Sequence, residues 1–240
     1  MLACVEVGGS SVETVTFADD GTIVRVDGAQ RAPTTPLVIA TPGIVEGNRV
    51  VAASNLGWFD VDPAEALGIG PSAVLVLNDA EAAALGELAL RDESDDLVLV
   101  TLGTGVGGAV VLDDIVVAAN LFGHERGYSD MACVCGRIGC LETVAGGWAL
   151  PLPLTERDLD RVARAVATAV DSEPLATGGL VVVSGGLARR YPEIVLRVGE
   201  YLPQRLVEPS AAPHGFKSAA AWGLRAALTR KPVSDGPLRA

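Results

Sequence analysis

The chain has 240 residues, 49% of them hydrophobic, with 28 glycines, 4% aromatics and a net charge of −12 from 18 basic and 30 acidic side chains. That length admits one large domain or two small ones, with a core filled by Val, Ile, Leu and Ala. The acidic balance, with no Lys/Arg-rich run, argues against nucleic acid or an anionic membrane surface as partner, and no stretch nears the roughly 18 apolar residues of a membrane-spanning helix.

MLACVEVGG begins directly as a strand, without the basic start and apolar body of a signal peptide. The expected location is the cytoplasm, where clustered cysteines bind metal more often than they form disulfides. LACVEV (2–7), VETVTFA (12–18) and TIVRVDG (22–28) read as three strands of a meander, broken at Gly8-Gly9 and at DDG. QRAPTTP is a loop by its prolines, and LVIATPG is a buried strand ending at Pro42 and Gly43. After a second loop, AVLVLNDAEAAALGELAL reads as a strand running straight into an Ala/Leu-rich helix whose cap is Asn78 or Asp79.

A new unit begins near residue 94, after RDESDD. DLVLVTLGTGVGGAVVL gives two apolar strands joined by GTGVGG. Both halves therefore open with an apolar strand, a glycine turn carrying a hydroxyl (GGS, then GTG) and another strand. The expected division is 1–93, then 94–230 with the last helix packing back on the first unit, then a loose tail over 231–240. TERDLDRVARAVATAV (155–170) has apolar residues at helical spacing. LVVVSGG is a buried strand ending in two glycines, and PHGFKSAAAWGLRAALTR is a final helix.

Three features carry chemistry. The segment GHERGYSDMACVCGRIGC (123–140) holds three of the four cysteines and one of the two histidines. Cys133, Cys135 and Cys140 supply three thiolates and His124 an imidazole, which is the ligand count and type of a closed tetrahedral zinc site. The glycine turns GGSS (8–11) and GTGVGG (103–108) each leave a buried strand with exposed backbone N–H groups and hydroxyls, able to cradle phosphate oxygens. Neither matches a P-loop. Asn78-Asp79 stands where a strand meets a helix. A carboxylate there can cap the helix, or it can take a proton from a hydroxyl attacking a phosphoryl group.

Taken in order, these pieces resemble the ROK family (repressors, open reading frames and sugar kinases). EVGGS (6–10) is similar to the family's first phosphate turn, TPGIV (41–45) to its P-G-x-V loop, and NLGW (55–58) also fits. VLNDAEAAALGE (76–87) resembles the catalytic segment, VTLGTGVGGAVV (100–111) the second phosphate turn, and VSGGLA (183–188) the nucleotide-side glycine pair. GH followed by CVCGRIGCLET (133–143) resembles the zinc signature.

The resemblance implies an α/β, actin-like (ribonuclease H-like) ATPase fold of two lobes, with the active site in the cleft. It implies a carbohydrate kinase with Asp79 as general base, and with Asn78, Gly43, His124 and Glu142 at the sugar. His124 uses one ring nitrogen for zinc and presents the other to the sugar. Glu6, Gly8, Gly9, Ser10, Gly103, Thr104, Gly105, Gly185 and Gly186 fall at the phosphates and nucleotide. Zn2+ is the structural ion, Mg2+ comes with ATP, and a homodimer or homotetramer is the implied assembly.

The chain departs from the family in three places. Where the family reads G-E-x-G-H, this chain reads Asn120-Leu121-Phe122-Gly123-His124, so a sugar-binding carboxylate has become Leu121. Leucine cannot accept hydrogen bonds from a diol, which points to a deoxy, cyclitol-like or otherwise less polar ring. The first turn carries Glu6 for Asp and Ser10-Ser11 for Thr-Lys. The region between Glu142 and LVVVSGG is short, thinning the nucleotide side. The alternative function is a non-catalytic sugar-binding or regulatory protein. A DNA-binding repressor is disfavoured, because the first phosphate turn already begins at residue 8.

Overall fold

The computed structural model describes residues 1–9, 11–28, 36–69, 73–91, 96–176, 179–213 and 219–229. The first half runs β1 (Leu2–Val7), β2 (Val12–Phe17), β3 (Ile23–Gly28), β4 (Leu37–Thr41), β5 (Ile44–Glu46), β6 (Arg49–Ala53), β7 (Trp58–Val61), α1 (Pro63–Leu67), β8 (Leu75–Asn78) and α2 (Asp79–Arg91). The second half runs β9 (Leu97–Leu102), β10 (Val106–Leu112), β11 (Ile115–Ala119), α3 (Glu142–Ala145), α4 (Glu156–Ser172), β12 (Leu180–Ser184), α5 (Gly185–Arg190), α6 (Glu193–Tyr201), β13 (Leu206–Pro209) and α7 (Ala220–Thr229).

Two five-stranded sheets repeat one plan. The first has the order β3-β2-β1-β4-β8 and the second β11-β10-β9-β12-β13. In each, the opening strand pairs antiparallel with the next and parallel with the fourth, as β1 does with β2 and β4, and β9 with β10 and β12. The repeated strand–glycine turn–strand pattern in the sequence is the local sign of this duplication.

Alternation along the strands separates the layers, because successive side chains leave a strand on opposite faces. Leu97 and Leu99 of β9 join one core cluster, and Val98, Val100 and Leu102 join another. In β1, Cys4 faces the cluster it shares with α2 and α7, while Ala3, Val5 and Val7 face the α1 side. The α2/α7 pair thus lies between the two sheets: α7 contacts β1 and β4, and α2 contacts β9, β10 and β11. Helix α4 covers the outer face of the second sheet with α5 and α6. Both faces of each central strand are buried, which is why LVIAT, LVLVTL and LVVVS read as unbroken apolar runs.

Several elements were not anticipated. The segment expected as a second loop contains the three-stranded sheet β5-β6-β7 and the short helix α1. Asp62 caps α1 by accepting from Ala64 N and Glu65 N, and Pro63 fits its first turn. Strands β11 and β13 and helices α5 and α6 are likewise additions. The final helix begins at Ala220. Residues 214–218 of its expected span, and the expected tail at 231–240, lie outside the described residues.

Candidate active site

The parallel strands β1, β4 and β8 end on the same side of their sheet, as β9 and β12 do in theirs, and Gly8-Gly9, Gly43, Asn78-Asp79, the turn at 103–105 and Gly185-Gly186 follow these carboxyl ends, whereas His124, the three cysteines and Glu142 come from the segment after β11. Open α/β sheets bind ligands at such carboxyl ends. Glu6 is the half-buried penultimate residue of β1. Gly8 N donates to Ser11 O at 2.8 Å and closes the first turn. Ser10 lies outside the described residues. In the second turn Gly103 N donates to Gly105 O at 3.0 Å, and the segment after α3 ties it down: Gly147 N donates to Gly103 O and Trp148 N to Thr104 O.

The two turns face each other. A Cβ on Gly9 would lie 3.6 Å from Thr104 Cβ and 3.8 Å from Asn55 Nδ2. Gly185 adopts a φ of +96°, and a Cβ there would sit 2.3 Å from Leu102 O. That close approach seats the third glycine turn against the end of β9. Beside it, Gly186 opens onto free space.

Asn78 ends β8 and caps α2. Its Oδ1 accepts from Ala80 N at 3.0 Å and Glu81 N at 3.2 Å. Its Nδ2 lies 3.0 Å from Gly43 O, 2.8 Å from Asn120 Oδ1 and 3.1 Å from Asp79 Oδ1. Asp79 Oδ1 also accepts from Ala80 N at 2.9 Å. Burial is the main influence on this carboxyl. It raises the pKa from 3.8 to about 6, against the lowering effect of the backbone N–H groups and the Asn78 amide. Ala80, the next residue, comes within 3.8 Å of where a Cβ on Gly107 would lie, so the start of α2 abuts the strand leaving the second turn. Gly43 takes a φ of +98°, and a Cβ there would lie 2.2 Å from Ala52 O. Only glycine allows this turn to aim its carbonyl at Asn78.

His124, Cys133, Cys135 and Cys140 converge, with one ligand atom from each and all four atoms within 4.8 Å of one another. Cys135 Sγ and Cys140 Sγ are 3.6 Å apart, and His124 Nδ1 is 3.7 Å from Cys133 Sγ. Those sulfurs are too far apart for a disulfide and match the ~3.7 Å expected of two thiolates on one tetrahedral zinc. The donor set and its spacing fit zinc. A tight knuckle holds the set, with Cys133 N donating to Arg137 O at 2.7 Å and Gly139 N to Met131 O at 2.9 Å. With Nδ1 turned to the thiols, the exposed ring leaves Nε2 as its other polar atom.

Glu142 follows two residues after Cys140 and is only 7% exposed. Its Oε2 accepts from Val106 N and its Oε1 from Trp148 Nε1, each at 3.0 Å. Its oxygens therefore brace the second turn as well as bordering the cleft. Leu121 packs against the apolar cluster beside Val106. Sequence reasoning missed two residues here, Trp148 and Asn120. Asn120 sits immediately before Leu121, and its partners Asn78 and Gly43 are far away in sequence, so no local pattern marks it.

Comparison with known proteins bears on the family and the fold. N-acetylmannosamine kinase of Yersinia pseudotuberculosis serotype O:3 (strain YPIII) is 31% identical over 233 residues, covering 80% of each chain. Among solved structures, a ROK family glucokinase from Streptomyces griseus in complex with glucose and AMPPNP superposes with a TM-score of 0.72 at 20% identity, covering 95% of this chain and 98% of that one. ROK hexokinase from Thermus thermophilus gives a TM-score of 0.63 at 22% identity, covering 94% and 97%. These two show the actin-like fold. The ROK family profile matches residues 23–188, and the chain belongs to the ROK family.

Proposed function

We propose that this protein is an ATP-dependent sugar kinase in which Asp79 removes the proton from the attacking hydroxyl. The observation that carries the reading is the state of Asp79. It is a half-buried carboxylate whose pKa desolvation raises to about 6, where strand β8 meets helix α2 and close to the strand that leaves the second glycine turn. A general base needs that combination of reach and near-neutral pKa. Residues 1–93 and 94–230 are the two lobes, and the phosphates of ATP lie along the turns at 8–11, 103–105 and 185–186. Magnesium accompanies the nucleotide and spreads charge on its phosphates. His124, Cys133, Cys135 and Cys140 hold a structural zinc, which fixes the His124 ring at the sugar side.

The substrate follows from Leu121 and from the relatives. An apolar side chain at that position removes two acceptors that a free hexose would use, worth roughly 1–3 kcal/mol. The 31% identical relatives are N-acetylmannosamine kinases, so an N-acylated or deoxygenated ring is the substrate class. Phosphorylation assays with Mg-ATP and N-acetylmannosamine, 2-deoxyglucose and glucose test this. Turnover of one of the first two above glucose is the expected result, and a clear preference for glucose overturns it.

The packing of Leu121 into the apolar cluster favours one alternative, a non-catalytic sugar-binding protein. Calorimetric titration with Mg-ATP separates the readings, because absence of nucleotide binding at millimolar concentration leaves only the alternative.

A further inference from the structure

Hydrogen counting fixes every amide orientation around Asp79. Asn78 Oδ1 is held by two backbone N–H groups at the start of α2, so its Nδ2 must face the cleft. There three acceptors stand within 3.1 Å: Asn120 Oδ1, Gly43 O and Asp79 Oδ1. An amide nitrogen carries two hydrogens, so the three compete. The shortest contact, 2.8 Å, goes to Asn120 Oδ1. That choice turns Asn120 Nδ2 toward Gly43 O, to which it donates at 3.2 Å. Asn120 has a φ of +59°, a left-handed conformation that Asn tolerates better than most side chains. Gly43 follows β4 in the first half of the chain and Asn120 follows β11 in the second.

We propose that Asn120 is a positioning residue for the sugar site: its carboxamide bolts the Pro42-Gly43 loop to the end of β11 across the cleft and, through Asn78, to the helix end that bears Asp79. Its functional meaning rests on the sugar-kinase reading; its geometry does not. Leu121, the next residue, turns into the apolar cluster and offers the cleft no polar atom. Asn120 is therefore the polar group that this segment contributes beside the base, and it acts through the groups it holds.

Two variants dissect the latch. Asn120→Asp keeps a residue tolerant of the left-handed turn and keeps an acceptor for Asn78, but it sets a carboxylate oxygen against Gly43 O. Asn120→Gly keeps the backbone and removes both bonds. Backbone amide exchange in the ligand-free protein is expected to quicken across residues 43–46 in both variants, while the 124–140 segment stays as in wild type. In kinase assays with N-acetylmannosamine and Mg-ATP, the sugar KM is expected to rise about tenfold, the size of one lost net hydrogen bond. The ATP KM should stay within about twofold. Unchanged exchange at 43–46 in both variants, or sugar and ATP KM values rising together, would overturn the proposal. If wild type phosphorylates no sugar, the kinase reading falls and the exchange measurement still decides the latch.

Discussion

Glu142 and Trp148 are joined by a 3.0 Å hydrogen bond from the indole Nε1 to the buried carboxylate, whose other oxygen accepts from Val106 N. Glu142 N in turn donates to Gly123 O at 3.0 Å, beside His124. One residue, through its side chain and its backbone N–H, thus connects the cysteine–histidine segment, the second glycine turn and the loop that backs it. The cysteine–histidine segment is thereby tied to the second glycine turn.

Replacing Glu142 by Ala takes the acceptors from the exposed Trp148 indole and from the half-buried Val106 N, and leaves the volume of a buried side chain empty. The expected loss is about 1–3 kcal/mol in all, because water can reach the indole N–H. At about 2–4 °C per kcal/mol for a chain of this size, thermal denaturation followed by circular dichroism should show a clear drop in Tm. An unchanged Tm would show that the carboxylate does not brace the turn.

Helices α2 and α7 meet through two glycines. A Cβ on Gly223 would lie 1.7 Å from Ala82 O, and one on Gly86 would lie 1.9 Å from Ala219 O. Inside a helix, Gly→Ala ordinarily gains up to about 1 kcal/mol. Here the sign reverses, because the new methyl meets backbone carbonyls that cannot swing aside. Gly223→Ala is expected to destabilise by about 1–3 kcal/mol or more through overpacking. Urea denaturation is the check, and a stabilised variant would mean that the helices are not in close contact.

Much of this fold was legible because its central strands are buried on both faces and end in glycine turns. LACVEV-GG and LVLVTL-GTG announce both their strands and their duplication. The convergence of His124, Cys133, Cys135 and Cys140 was legible because thiolates at short spacing have few other uses in such a chain. The β5-β6-β7 sheet was not legible. Its strands span three to five residues, and Ile44, Val51 and Phe59 stand exposed, so no apolar period marks it. Asn120 was hidden for another reason. Its partners, Gly43 and Asn78, are 77 and 42 residues away, and only the folded sheets bring them together.

Zinc removal gives a separate test of the metal centre. Metal analysis of the purified protein is expected to find one zinc per chain, lost in Cys135→Ser. Structural zinc sites contribute folding energy directly, so chelation should expose the 124–140 segment to proteolysis before the sheets unfold. Because Glu142 links that segment to Val106, chelation should also weaken Mg-ATP binding in calorimetry. Full nucleotide affinity in zinc-free protein would restrict the role of zinc to the sugar side.

Asp79 ties pH dependence to both activity and stability. As a general base it must be ionised, so kcat should fall as pH drops through about 6, the value to which burial raises its pKa. For stability the sign is opposite. The native carboxyl takes its proton near pH 6 and the unfolded one near 3.8, so between those values the native state binds more protons. Stability from this group therefore decreases as pH rises through the window, and above about 6 the buried charge costs no more than about 3 kcal/mol. Asp79→Asn removes that charge. It should lower kcat by about 10²–10⁴-fold while leaving the fold intact. At pH 7 it should be at least as stable as wild type in urea, and the advantage should shrink as pH falls toward 4. A variant that is less stable than wild type at pH 7 would assign Asp79 to structure, and one that retains full kcat would remove it from the chemistry.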